Sequence, residues 1–252
     1  MSPNSSTNRG ISLPKSKDEI VRLLQLIPHP EGGYFRETWR SGVTPMESRG
    51  QTDTEGVARP LHDLVTTNRR HRPNDDGRRH GLTSIFWVPT LESPRLLLAV
   101  NESDHVHYYQ GGLPFEYFLY QPATSATAHS SKQEGEMTLT RVVLGPNLLE
   151  GHQLQVAVAG GTWKCGHILQ EQSPQATSQA DDGRGVDYTI IGEAVGPGFD
   201  FYDFAWITLE QIEGEATNMD VATQQLFKEF CHPLNQSNTL DDIDAHYDAD
   251  AH

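Results

Sequence analysis

Hydrophobic positions along this chain follow two periods, and the switch between them divides the sequence. Ile20, Leu23, Leu24 and Ile27 recur at helical spacing behind Ser16 and Glu19, which have the spacing of a capping box. Pro28 lacks the N–H needed to continue, so one short helix is predicted there. Beyond it the period falls to two. Residues 34–40, 83–88, 95–100, 105–109, 115–120, 137–144, 153–158, 162–169, 188–195 and 201–208 each read as a short strand, separated by turn signals such as Gly111-Gly112 and Gly145-Pro146-Asn147. Many short strands with no helical period between them predict an all-β sandwich, barrel or jelly roll. The helical period returns over 220–230, where Val221, Leu226, Phe227 and Phe230 form the apolar set of a closing helix.

Two polar stretches break the pattern. Residues 42–81 carry Arg69, Arg70, Arg72, Arg78 and Arg79, and 170–187 is a Gln/Ser/Asp/Gly run. Both are expected to be insertions in one domain over 16–232, with the arginines forming a solvated loop rather than an anion site. A length of 252 residues suits one β-rich domain with long loops. The formal net charge of −15 argues against a nucleic-acid partner. Acid concentrates at Asp241, Asp242, Asp244, Asp248 and Asp250; residues 233–252 are expected to be a disordered acidic tail, and 1–15 a disordered N-terminus. Two cysteines, Cys165 and Cys231, provide neither a disulfide framework nor a Cys-rich zinc site. No secretory h-region and no apolar run near ~20 residues occurs. A cytoplasmic protein without a membrane partner is expected.

Candidate chemistry lies in two segments. Residues 195–204 read V-G-P-G-F-D-F-Y-D-F, and 29–39 read H-P-E-G-G-Y-F-R-E-T-W. Glycine, aromatic and ionisable side chains so combined predict the walls of one pocket for a small organic ligand, although a packed β-edge has a similar composition.

With T-S-I-F-W-V, D-H-V-H-Y-Y-Q-G and L-Q-V-A-V-A-G-G-T-W between them, these motifs resemble a family of uncharacterised single-domain cupins. It is the fifth family of that superfamily, related in fold to the cupin-type epimerases of dTDP-sugars. The resemblance covers roughly residues 20–210 less the two insertions, and implies a cupin jelly roll and a homodimer. A metal cupin uses a His-x-His pair, a carboxylate and a third histidine, a donor set suited to first-row transition metals. Aligned on that pattern, Asp104 takes the carboxylate position, Leu98 stands where the family has a histidine, and Lys164 replaces a ligand histidine. Alternation puts His105, His107 and Tyr109 on the strand face opposite Asp104 and Tyr108, unless a bulge intervenes. No metal and no cofactor is therefore expected.

What remains is acid–base chemistry. By the resemblance His107 matches a family histidine, and it is the expected proton carrier, with Tyr109 and Asp104 as further catalytic candidates. Glu31, Tyr34, Arg36, Tyr108, Gln155, Trp163, Phe199, Asp200 and Asp203 are the expected ligand contacts. Each also has a structural reading: Glu31 pairing Arg36 at a β-corner, Asp203 capping a turn, Trp163 in the core. The expected function is a metal-independent isomerase, epimerase, dehydratase or cyclase working by proton transfer. A non-catalytic small-molecule-binding cupin is the alternative, and a metal-dependent dioxygenase the second.

Overall fold

Strand alternation is realised as two antiparallel sheets packed face to face. The computed structural model describes residues 13–29, 31–42, 64–69, 75–122, 139–170 and 186–232. The chain begins with α1 (Lys17–Leu24), β1 (Ile27–Pro28) and β2 (Tyr34–Arg40), then a small pair, β3 (Leu64–Thr66) and β4 (Arg78–His80). Next come β5 (Thr83–Val88), β6 (Arg95–Asn101), β7 (Asp104–Gly112), β8 (Phe115–Tyr120) and β9 (Thr140–Leu144). The body closes with β10 (Gln155–Val158), β11 (Trp163–Ile168), β12 (Thr189–Gly196), β13 (Phe204–Trp206), α2 (Leu209–Gly214) and α3 (Val221–Phe230). One sheet has the order β1-β2-β5-β12-β7-β10 and the other β13-β6-β11-β8-β9.

Side-chain parity assigns three apolar layers. Trp87, Leu96, Phe115, Tyr117, Leu144, Val156, Val158, Ile168 and Ile191 interlock between the sheets. Leu98, Phe118, Tyr120, Trp163 and Cys165 leave the second sheet on its other face and meet Phe227 and Phe230 of α3. Ile20 and Leu26 cover the first sheet with Val88, Tyr188 and Ile190. This is the all-β jelly roll expected from the period-two pattern, with flanking helices. Among the described residues no helix is long and apolar enough to cross a membrane.

Several expectations are corrected. The first helix ends at Leu24, because Gln25 turns left-handed (φ 53°) and its N–H caps the carbonyls of Arg22 and Val21. Ile27 is consequently an exposed strand residue, and Leu26 fills the apolar position instead. In α3, Val221 is 80% exposed, since it follows the Asp220 cap on the helix's outer side. Segment 201–208 opens as a 3₁₀ turn, Phe201–Asp203, before β13. Residues 13–15 belong to the fold: Leu13 packs under α1, and the Pro14 carbonyl accepts the Tyr188 hydroxyl at 2.5 Å.

The arginine-rich insertion is not wholly solvated. Arg79 is 2% exposed, with its guanidinium held bidentately by Asp75 and again by Asp203, all four bonds between 2.8 and 2.9 Å. Arg69 adds contacts to Ser103 Oγ (2.7 Å) and Asp203 (3.3 Å). A buried guanidinium needs such a carboxylate cage, and here the cage ties β4 to the 3₁₀ turn before β13. Residues 1–12, 171–185 and 233–252, which include most of the expected termini and second insertion, lie outside the described residues.

Candidate active site

Inward positions of four strands and one turn carry the ionisable groups. On β7, His105 and His107 point between the sheets at 2% and 1% exposure, while Asp104 and Tyr108 point out. Antiparallel register sets His107 opposite Glu193 of β12 and Val156 of β10. From the facing sheet, parity turns Trp163 outward and Lys164 inward on β11, and Tyr117 inward on β8. His29 and Glu31 arrive from the turn before β2. That turn needs glycine: Gly32 and Gly33 have φ of +100° and +74°, and a Cβ on Gly33 would lie 2.5 Å from the Val88 carbonyl oxygen. The Trp87 indole N–H pins the turn through the Gly32 carbonyl (3.1 Å).

Lys164 is the hub. Its Nζ lies 3.0 Å from His107 Nε2, 3.2 Å from His105 Nε2 and 3.9 Å from Glu193 Oε1. His105 Nδ1 is 2.9 Å from the Ser103 carbonyl, which can only accept, so the bonding assigns the proton to Nδ1 and leaves the Nε2 lone pair for the ammonium. His107 Nδ1 is likewise engaged, 3.2 Å from the Tyr117 hydroxyl, and its Nε2 faces Lys164.

Burial, reinforced by the Lys164 charge, holds His29 and His105 down at about 3 and drives His107 well below the usual imidazole range. All three rings are neutral at physiological pH. Burial raises Glu31 to about 7; Lys164 opposes that shift and Glu193 adds to it. Burial likewise lifts the Tyr117 phenol, with Glu193 and Glu31 contributing.

Accessibility separates two ranks of groups. Side chains of Lys164, His29, Glu193 and Glu31 retain 13–17% of their surface, whereas His107 retains 1%. Solvent therefore reaches these four side chains more readily than either β7 histidine.

The structure gathers His107 and Glu31 from the expected site residues and distributes the others elsewhere. Asp104 is turned outward, where it accepts the Gly160 N–H at 2.8 Å. Tyr109 packs at the core margin with its hydroxyl on the Gly112 carbonyl (2.6 Å). Tyr108 and Gln155 are cross-strand partners on the exposed outer face. Tyr34 packs beneath α1, and Arg36 reaches Gln25 Oε1 at 3.3 Å rather than Glu31. Trp163 is core against α3, its ring centroid 6.2 Å from that of Phe227. Phe199 stacks edge-on to Phe201 at 5.0 Å, Asp200 caps the 3₁₀ turn through the Tyr202 N–H (3.0 Å), and Asp203 is committed to Arg79. Leu98 also leaves the site: a β6 bulge opposite Lys164 and Gly166 turns it toward α3, and Ala99 is the residue paired with Lys164.

His29, His105, Tyr117, Lys164 and Glu193 complete the group without having been selected as site residues. For Glu193 a signal exists: it is the ionisable residue in the inward register Ile191-x-Glu193-x-Val195 of an otherwise apolar strand.

A metal can be tested against this donor set. Ligand atoms of His105, His107 and Glu193 lie within 4.8 Å of one another. The Lys164 ammonium, however, stands 3.0–3.9 Å from those same atoms, the place a bound cation would take. Two cations in that space repel, so with Lys164 so placed the residues do not fit a metal.

Comparison with known proteins supports the fold. The family described as "Cupin superfamily (DUF985)" matches residues 18–207. An uncharacterized protein of Saccharomyces cerevisiae is 27% identical over 194 residues, which are 77% of this chain and 76% of that protein. A solved structure of a hypothetical protein from Leishmania major is similar with a TM-score of 0.57 at 24% identity, covering 85% of this chain and 98% of that one. One from Shewanella oneidensis has a TM-score of 0.54 at 18% identity, covering 86% and 97%.

Proposed function

The chain belongs to the DUF985 family of the cupin superfamily, and from that premise we propose that it binds a small organic molecule between its sheets and moves protons on it without a metal. The reaction class is isomerase, epimerase, dehydratase or cyclase. One observation carries this reading: a lysine ammonium fixed by two neutral imidazoles shares a partly accessible interior with two carboxylates.

In this scheme Glu31 is the proton carrier. Its position near 7 keeps both the acid and the base populated at neutral pH, whereas His107 is too buried and too weakly basic to titrate there. A proton leaves a substrate carbon for a Glu31 carboxylate oxygen, and the resulting charge on the substrate's oxygen is met by the Lys164 Nζ–H. His105 and His107 hold that ammonium in advance, which is what makes such stabilisation effective. Glu193 balances the ammonium in the ground state.

The test begins with native mass spectrometry of the protein isolated from its source, to identify a co-purifying ligand. Carbon-bound hydrogen exchange of that ligand in deuterated water is then followed by NMR. Glu31→Gln should slow exchange about a hundredfold or more, and Lys164→Met should do the same. A second reading is a non-catalytic binding protein, favoured by the burial of His107, which keeps that imidazole well below its usual range. Tight ligand binding without exchange in the wild type would select it.

A further inference from the structure

Around Lys164 the fold assembles most of a transition-metal site and occupies it with an amine. His105 and His107 offer Nε2 lone pairs and Glu193 a carboxylate oxygen, mutually within 4.8 Å. Their outer bonds are also those that orient imidazole ligands: Nδ1 of His105 on the Ser103 carbonyl at 2.9 Å, and Nδ1 of His107 beside the Tyr117 hydroxyl at 3.2 Å. Buried neutral rings with one nitrogen tied and the other free are prepared to coordinate a cation. The cation they hold is Lys164 Nζ, at 3.0 and 3.2 Å.

We propose that the Lys164 ammonium is a permanent, covalently attached substitute for a divalent ion. It excludes metal from the His105–His107–Glu193 triad, and its removal unmasks a first-row transition-metal site.

The chemistry of the triad favours this over accidental proximity. An ammonium has three N–H donors and no lone pair, and it faces two imidazole acceptors and one carboxylate. The side chain keeps 13% of its surface, so moving aside would strip a mostly buried charge of its partners. Three N/O donors also match the preference of zinc, cobalt or nickel, and a histidine at position 164 would supply the fourth ligand of a tetrahedral site. None of this rests on the proton-transfer reading, and metal uptake is measured without turnover, so the two can fail separately.

Four full-length proteins are compared: wild type, Lys164→Ala, Lys164→His, and Lys164→His combined with His107→Gln. Each is checked for folding by circular dichroism and titrated with Zn(II) in a calorimeter. Retained zinc is then counted by elemental mass spectrometry, and Co(II) complexes are examined for tetrahedral absorption bands. Lys164→Ala and Lys164→His should each gain one zinc equivalent over the wild type, with Lys164→His showing the cobalt bands. Adding His107→Gln should weaken the gained site by at least about tenfold to a hundredfold, which subtracts adventitious binding by surface histidines. If Lys164→His does not fold, Lys164→Ala decides. Wild-type protein that takes up one zinc equivalent and shows tetrahedral cobalt bands would overturn the proposal. Folded Lys164→Ala and Lys164→His that bind no more zinc than the wild type would do so equally.

Discussion

Replacing Glu31 by glutamine should stabilise this protein, and increasingly so as pH rises. The folded-state carboxyl sits near 7 against an ordinary 4.5, chiefly because burial penalises its charge. Native protein therefore keeps this proton to higher pH than the unfolded chain. The associated stability is complete below about 4.5 and is lost as pH climbs through about 7. At about 1.4 kcal/mol per pH unit, the charged form costs the wild type about 3 kcal/mol at pH 8 and only about 1 kcal/mol at pH 5. The side chain is 17% exposed, so water relieves part of this and the figure is an upper bound. Glutamine retains the shape of the protonated acid and never ionises. Urea unfolding followed by tryptophan fluorescence from pH 5 to 8.5, read as the difference between Glu31→Gln and wild type, cancels every other titrating group. The difference should open from about 1 to about 3 kcal/mol in favour of the variant. A pH-independent difference, or a variant less stable at pH 8, would refute the assignment of Glu31 as a strained, functional acid.

The opposite limb belongs to the histidines: His29 and His105, depressed from 6.5 to about 3, contribute stability that is present above 6.5 and lost as pH falls toward 3. Circular dichroism should show acid unfolding well above pH 3, and His29→Gln with His105→Gln should shift its midpoint downward. Asp203→Ala leaves Asp75 as the carboxylate holding Arg79, and should cost about 3–5 kcal/mol in denaturant unfolding as the breaking of a buried pair; Asp76, the exposed partner of Arg78, replaced by Ala, should leave the midpoint unchanged. Among the described residues β1 covers only Tyr34 and Phe35 on that edge of β2, and Trp39 is 42% exposed, so this edge is where a second copy is expected to pair. Sedimentation at micromolar concentration should report a homodimer, and a monomer would contradict that pairing.

Much of the architecture was legible because strand parity is local. The alternation through Asp104, His105, Val106 and His107 already sets both histidines on one face, and the structure keeps that face turned inward. The same reasoning failed where one extra residue enters a strand. At the β6 bulge Leu98 turns toward α3 and Ala99 faces Lys164, so a position-by-position match of ligand histidines breaks down there. Composition misled at Arg79, whose neighbours look solvated in the chain while Asp75 and Asp203 enclose it in space.

The sequence by itself thus determined the period-two strands, the approximate places of the first and last helices and which side chains share a face, since all of these depend on residues a few positions apart; α2 (Leu209–Gly214) was not foreseen. Tertiary structure alone decided which faces meet. Lys164 reaches His105 and His107 only because β11 and β7 lie in opposing sheets, and Glu193 joins them only through the register of β12 on β7. Glu31 becomes an acid near 7 by the same route: its rise comes from burial, with Glu193 adding to it and Lys164 opposing it, both more than a hundred residues away along the chain. Desolvation and Coulomb energy follow distance through space, and distance through space is what a linear pattern does not contain.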